Sequence, residues 1–339
     1  MSSPAGYGEN GDHGHADITQ NERSPLLPHS IRRSKDGSIS TSVVAKYTTF
    51  LKEHAFSPLP TFDSGDDLPP ACVPPLLLQC IITGLADACT FTLTRTWIGF
   101  MTGNMVQMVI NTFDLTLPSS SNTDGSTYQV RKKLESNIAS LLGFVIGCQI
   151  TSNIVKRLST DRTKRLTFVL LSLYRSLATL FIIVVGVRSQ EFRFNGSLGW
   201  LVISILAANL GCQSTYSTSL ATPFSTTVVF TATLTAVSSD LHLPMLNLTG
   251  ANRFRLLSIF GLLGGAAVSQ LILKVATKAS KQDKHEAVQH ALIVLAAMEA
   301  LLGLSWFLCG VVESWGRYRC RFSSEFPGRV EDDTLGVET

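Results

Sequence analysis

Residues 194–239 read FNGSLGWLVISILAANLGCQSTYSTSLATPFSTTVVFTATLTAVSS, 46 consecutive residues without an Asp, Glu, Lys or Arg. At 1.5 Å of rise per residue a helix of that length spans about 69 Å, twice what one bilayer core needs. Pro223 sits inside the run, and a proline breaks the helical hydrogen-bond ladder. The stretch is therefore two full membrane passes or two shorter, broken segments.

Similar runs flank it. Residues 136–155, 256–273 and 96–113 carry no charge, residues 73–94 carry only Asp87, residues 166–187 only Arg175, and residues 288–312 only Glu299. The whole chain of 339 residues is 45% hydrophobic and 16% charged, against roughly 25% charged in an average soluble domain. Residues 71–312 hold 28 of the 53 charged side chains, about one residue in nine, too few to cover a soluble surface of that size. The net charge is only +3 and no basic face is concentrated, which excludes a nucleic-acid binder. The composition implies an all-α, polytopic integral membrane bundle, with membrane lipid as its main partner.

Eight segments are the maximum. Those at 96–113 and 224–239 are rich in Thr, Ser, Asn and Gly, which suits a protein-lined cavity better than lipid. If each merges with its predecessor into one discontinuous crossing, the count is six. The expectation is six to eight.

The ends differ from the middle. Residues 1–70 are polar and rich in Ser, Gly, Pro and His, and are expected to be a disordered cytosolic tail. The first 30 residues lack the apolar core of a secretory signal. Within the tail, Glu22-Arg-Ser-Pro-Leu26-Leu27 has the form of an acidic dileucine sorting signal, which sorting adaptors read in flexible cytosolic segments. It points to a vacuolar or lysosomal membrane, with the plasma membrane as the alternative. Residues 313–339 form a short second tail, basic at Arg317, Arg319 and Arg321, as cytosolic flanks usually are. Both ends on one side require an even number of crossings.

The membrane domain, 71–312, reads as duplicated, with halves at about 71–190 and 195–312. Gly143-x-x-x-Gly147 and Lys156 match Gly261-x-x-x-Gly265 and Lys274. Gly84-Leu-Ala-Asp87 stands where the second half has Leu210-Gly-Cys-Gln213, and Met101-Thr102-Gly103-Asn104 stands where it has Phe230-Thr231-Ala232-Thr233. Repeats of this kind recur in transporters, whose sites lie near mid-membrane on interrupted helices.

Gly84-x-x-Asp87-Ala88, Met101-Thr102-Gly103-Asn104, Gly211-x-Gln213, Pro223-Phe-Ser-Thr226-Thr227 and Thr231-Ala-Thr-Leu-Thr235, in that order, resemble the YoaK-like family, the domain of unknown function 1275. The resemblance spans residues 74–312. Ser214 stands where members usually carry Asn, and Ala232 where they usually carry Gly. The resemblance implies a multi-pass membrane protein, often of six helices, and no established substrate or reaction.

Three groups are candidate functional residues. Asp87 is an acid within an apolar segment, which costs about 2.5–3.5 kcal/mol to insert and commonly marks a solute or proton path. The plainer alternative is an acid bonded to nearby backbone or paired with Arg95. Arg175 and Glu299 lie near the centres of corresponding apolar segments, and opposite charges in such an interior pair with each other. They form either a structural bridge or a gate. Thr102, Gly103 and Asn104, with Gln213, Thr231 and Thr233 as counterparts, offer neutral donors and acceptors around a glycine. They line a path or knit helices together.

No His-Glu-x-x-His, Gly-x-Ser-x-Gly or phosphate-binding loop occurs, and the seven Cys show no Cys-x-x-Cys spacing. The expectation is therefore not an enzyme, with no cofactor and no metal. It is a secondary transporter or facilitator of a small polar solute, proton coupling included. The alternative is a membrane scaffold or sensor acting through its tails.

Overall fold

The computed structural model describes residues 39–57, 72–117, 124–158, 165–220, 230–239, 250–280 and 284–311. Among them there are helices, turns and no strand. The chain divides into two units, Met1–Val44 and Ala45–Thr339. Of the first, only residues 39–44 are described, as the opening of helix α1 (Ile39–Phe56). Glu22, Leu26, Leu27, Pro223 and the tail 313–339 lie outside the described residues.

Helix α1 lies within the segment 1–70 expected to be a tail. Phe50 and His54, one turn apart, are both buried, and such spacing puts them on one helix face. The His54 ring Nε2 lies 2.8 Å from the Phe307 carbonyl oxygen. Averaging composition over residues 1–70 hides a short docking face of this kind.

The larger unit continues with α2 (Val73–Thr94), α3 (Met101–Thr116), α4 (Asp124–Leu158), α5 (Arg165–Arg188), α6 (Gly199–Ser219), α7 (Phe230–Ser238), α8 (Gly250–Ser280) and α9 (Lys284–Leu308). A single 3-10 turn, Gln190–Phe192, joins α5 to α6. Prolines in the first turn of α2 suit a position where the N–H groups have no helical partner. The same helix stops at Arg95, which takes a left-handed φ of 58° and gives its N–H to the Phe91 carbonyl at 3.0 Å. For a residue with a Cβ that conformation costs on the order of 1 kcal/mol, and it turns the chain sharply into the loop 95–100.

Among the described residues, five helices are long and apolar enough to cross a membrane, within α2, α4, α5, α8 and α9. The chain is a helical membrane protein. The expected minimum of six is not reached on this measure, and α6 shows why. It is 21 residues long, but Asn209, Gln213 and Ser217 on it are buried against protein, so its average apolarity is low although it is central. Helices α3, with 16 residues, and α7, with 9, are short.

Polarity is arranged inside out. Gln79, Thr83, Ser172, Arg175, Thr179, Gln213 and Glu299 are buried. Leu142, Val145, Ile146, Leu173, Leu177, Phe181, Leu263 and Leu271 are exposed. In water such a face would be a liability; facing lipid, it loses nothing.

Three long contacts hold the bundle: α2 along α8, α4 along α6, and α5 along α9. Glycine sets two of them. A Cβ at Gly84 would collide with the Leu262 carbonyl oxygen, and one at Gly265 with that of Ile81. On the other pair, Gly143 meets the Ser204 carbonyl and Gly147 that of Ala208. Backbone touches backbone here, the tightest approach two membrane helices make.

Candidate functional site

The break between α2 and α3 is the most elaborately built part of the molecule. Loop residues 95–100 turn back against the bundle, and their backbone N–H and C=O groups need partners because they cannot reach water freely. Asp87 supplies one set. Its Oδ1 accepts hydrogen bonds from the N–H of Ile98 at 2.9 Å and of Gly99 at 2.7 Å. Asn104 supplies another: Trp97 N–H donates to its Oδ1 at 3.0 Å, and its Nδ2 donates to the Trp97 carbonyl at 2.5 Å and to Ser140 Oγ at 3.1 Å. Ser140 on α4 also donates to the Trp97 carbonyl, at 2.6 Å. Three helices thus clamp one loop.

Two glycines sit close against side chains of the clamp. A Cβ at Gly99 would lie 2.8 Å from Asp87 Oδ2, and one at Gly103 would press into the Phe100 ring. Thr102, between them, is exposed and stands outside the clamp. Arg95 does not pair with Asp87; its guanidinium carbon sits 5.7 Å from the centre of the Phe91 ring.

A cavity of about 380 Å³ opens between α2, this loop and α8. Asp87, Thr83 and Thr92 line it from α2, Trp97 and Gly99 from the loop, and Gln270 from α8. Both hydrogen bonds to Asp87 reach Oδ1, and Oδ2 accepts none among the described residues. Gln270 Nε2 donates to Thr92 Oγ1 at 2.8 Å. A neighbouring hollow of about 420 Å³ shares Thr92 and Gln270 and is edged by Lys274 and Lys278.

Gln213 on α6 is fully buried and donates to Thr83 Oγ1 at 2.8 Å and to the Gln79 carbonyl at 3.0 Å. It therefore stands behind the cavity wall rather than in the cavity. Gln79 in turn bonds Ser217 on α6. Thr233 on α7 is buried but does not line the cavity, and the Thr231 side chain lies outside the described residues.

Arg175 and Glu299 form a separate site between α5 and α9. Their Nη2 and Oε1 atoms are 3.0 Å apart, with side-chain exposures of 0% and 2%. The remaining valences are nearly filled. Arg175 Nη1 donates to the Tyr216 hydroxyl at 3.1 Å, and Thr179 Oγ1 donates to Glu299 Oε2 at 2.8 Å. Asn209 Nδ2 reaches the Arg175 carbonyl and Thr179 Oγ1, each at 3.3 Å. This site bridges α5, α6 and α9 and has no cavity beside it among those described.

Several contributors escaped the sequence reading. Trp97 and Gly99 act through loop backbone, which leaves no compositional trace, and Ser140 through one hydroxyl on α4. Gln270 is the one amide in the uncharged run 256–273, a signal of the kind that marked Asp87. Arg165 is buried and donates to Ser57 Oγ at 2.6 Å and to the His54 carbonyl at 3.1 Å.

Among the described residues no cluster of His, Cys, Asp and Glu could hold a metal ion. Residues 76–304 match a family model described as a protein of unknown function, DUF1275. No curated protein gives a match.

Proposed function

The chain belongs to the DUF1275 family, and on that footing we propose that it is a secondary transporter or facilitator for a small polar solute. One observation carries the reading: Asp87, in a membrane helix, places its carboxylate on the wall of a 380 Å³ cavity at a helix break. A cavity of this size fits a small ligand, and buried acids at interrupted helices are where transporters bind solutes or protons.

The reading includes α6 as a sixth crossing. Six crossings put both tails on one side, the cytosol, and give three per half, an inverted duplication. The packing supports this, because α2 on α8 and α6 on α4 are the same contact seen from each half. The motif at Glu22, Leu26 and Leu27 would then be read by a sorting adaptor and send the protein to a vacuolar or lysosomal membrane.

The competing scaffold reading has one observation in its favour. Asn104 and Gln213 direct donors to other helices and the loop, as residues used only for packing would. A thermal-stability screen of detergent-purified protein separates the two. Sugars, amino acids, amines, nucleosides, organic acids and ions are added at pH 5.5 and 7.5, with Asp87→Asn beside the wild type. A bound solute at a hundredfold excess over Kd stabilises by about 2.7 kcal/mol. A shift lost in Asp87→Asn supports the transporter. No shift with any compound, and a mutant as stable as the parent, overturns it in favour of the scaffold.

A further inference from the structure

We propose that the Asp87 cavity takes an organic cation, an amine carrying an apolar or aromatic body; this rests on the solute-binding reading above. The charge is chosen by electrostatics. Asp87 is the one formally charged residue lining the cavity. It is about nine-tenths buried, and its Oδ2 accepts no hydrogen bond among the described residues. An anion there would face a carboxylate across a low-dielectric space, and a neutral solute would leave that carboxylate uncompensated. An ammonium group would satisfy it with a charge-assisted hydrogen bond.

Aromatic rings choose the body. Phe91 and Trp97 are stacked with centroids 4.0 Å apart, and Phe100 meets Trp97 edge-on at 6.0 Å. All three line the cavity beside Asp87. Ring faces next to an acid form the pattern that attracts ammonium groups through the ring quadrupole. A bare metal ion would gain little from such walls, because hard cations need several oxygen ligands. Lys274 and Lys278 edge the neighbouring hollow, beyond the Gln270–Thr92 hydrogen bond, and Arg95 lies against the Phe91 ring; none of the three lines the inner cavity.

The test uses three matched probes on the full-length protein in detergent: phenethylamine, 2-phenylethanol and phenylacetate. They share one ring and differ in charge. Melting temperature is followed against concentration in the wild type, Asp87→Asn, Phe91→Leu and Trp97→Leu. Asparagine keeps an oxygen for the N–H groups of Ile98 and Gly99, so the loop anchor survives the loss of charge. The expected result is a shift with the amine only, abolished in Asp87→Asn and weakened about tenfold in apparent affinity by either leucine variant. If Asp87→Asn does not fold, the three-probe comparison and the leucine variants decide. An equal or larger shift with the alcohol or the acid overturns the cation assignment, as does an amine shift that survives in Asp87→Asn. If none of the three binds but another solute class in the broader screen does, the cation assignment falls and the solute path stands. If no compound of any class binds, both fall together.

Discussion

Arg175 on α5 and Glu299 on α9 meet at 3.0 Å with essentially no exposure, 124 residues apart in the chain. Removing one partner leaves the other charge buried and alone, which costs about 3–5 kcal/mol. Arg175→Ala and Glu299→Ala are each expected to lose most folded protein, read by detergent-resistant monomer on size exclusion. Arg175→Glu combined with Glu299→Arg is expected to recover part of that loss. Recovery is incomplete because Tyr216 and Thr179 are placed for the native order of charges. A swap no better than the single variants would refute a structural bridge.

Neighbouring glycines on α8 are expected to behave oppositely. Gly265→Ala drives a methyl into the Ile81 carbonyl, whereas a Cβ at Gly264 meets nothing within 4 Å. The first substitution should destabilise by about 1–3 kcal/mol, through overpacking against backbone that cannot move aside. The second should be neutral, or stabilising by up to about 1 kcal/mol through helix propensity. Melting curves of the two variants decide; equal effects would contradict the helix contact described.

The loop clamp predicts a local effect. Asn104→Ala leaves the Trp97 N–H without its acceptor, a loss of about 1–3 kcal/mol, while Ser140 still bonds the Trp97 carbonyl. Labelling of a cysteine introduced at Thr96, buried in the native loop, is expected to speed up in Asn104→Ala. Thr102→Ala, on the exposed side of the same turn, is expected to leave that rate unchanged.

Cys72 at the head of α2 and Cys309 at the foot of α9 have their sulfurs 3.1 Å apart. Closing that gap to the bonded distance of about 2.05 Å needs little movement. A mild oxidant such as copper phenanthroline should remove two hydrogens from this pair and form one intramolecular disulfide. Two fewer thiols would then react with a maleimide after denaturation, and Cys72→Ser would abolish the difference.

The parts that were legible from residues share a property: they are visible as exceptions within apolar runs. Arg175 and Glu299 each stand alone in a long uncharged segment, so each needs the other. Asp87 stands out for the same reason. Bonding to nearby backbone was one of the alternatives for it; which N–H groups it takes, those of Ile98 and Gly99, was not legible, because every residue possesses one. Helical phase separates Thr102 from Asn104: two residues on, the side chain points to a different face, and only Asn104 turns inward. The polar character that draws α6 into the centre is also what lowers its hydropathy below that of a lipid-facing span. His54 and Arg165 were hidden because each belongs to a segment whose average is polar.

The pairing of α2 with α8, α4 with α6 and α5 with α9 also dictates an order in time. Helices enter the membrane from the N-terminus onward, so Arg175 is in place long before its partner exists. At roughly 5–20 residues per second the ribosome needs about 6–25 s to make the 124 residues to Glu299. For that interval the guanidinium must be sheltered by the insertion machinery or by lipid headgroups. A chain truncated ahead of α9 never gains the carboxylate and keeps an unmatched cation at its core, a mark by which quality control can tell an unfinished protein from a finished one.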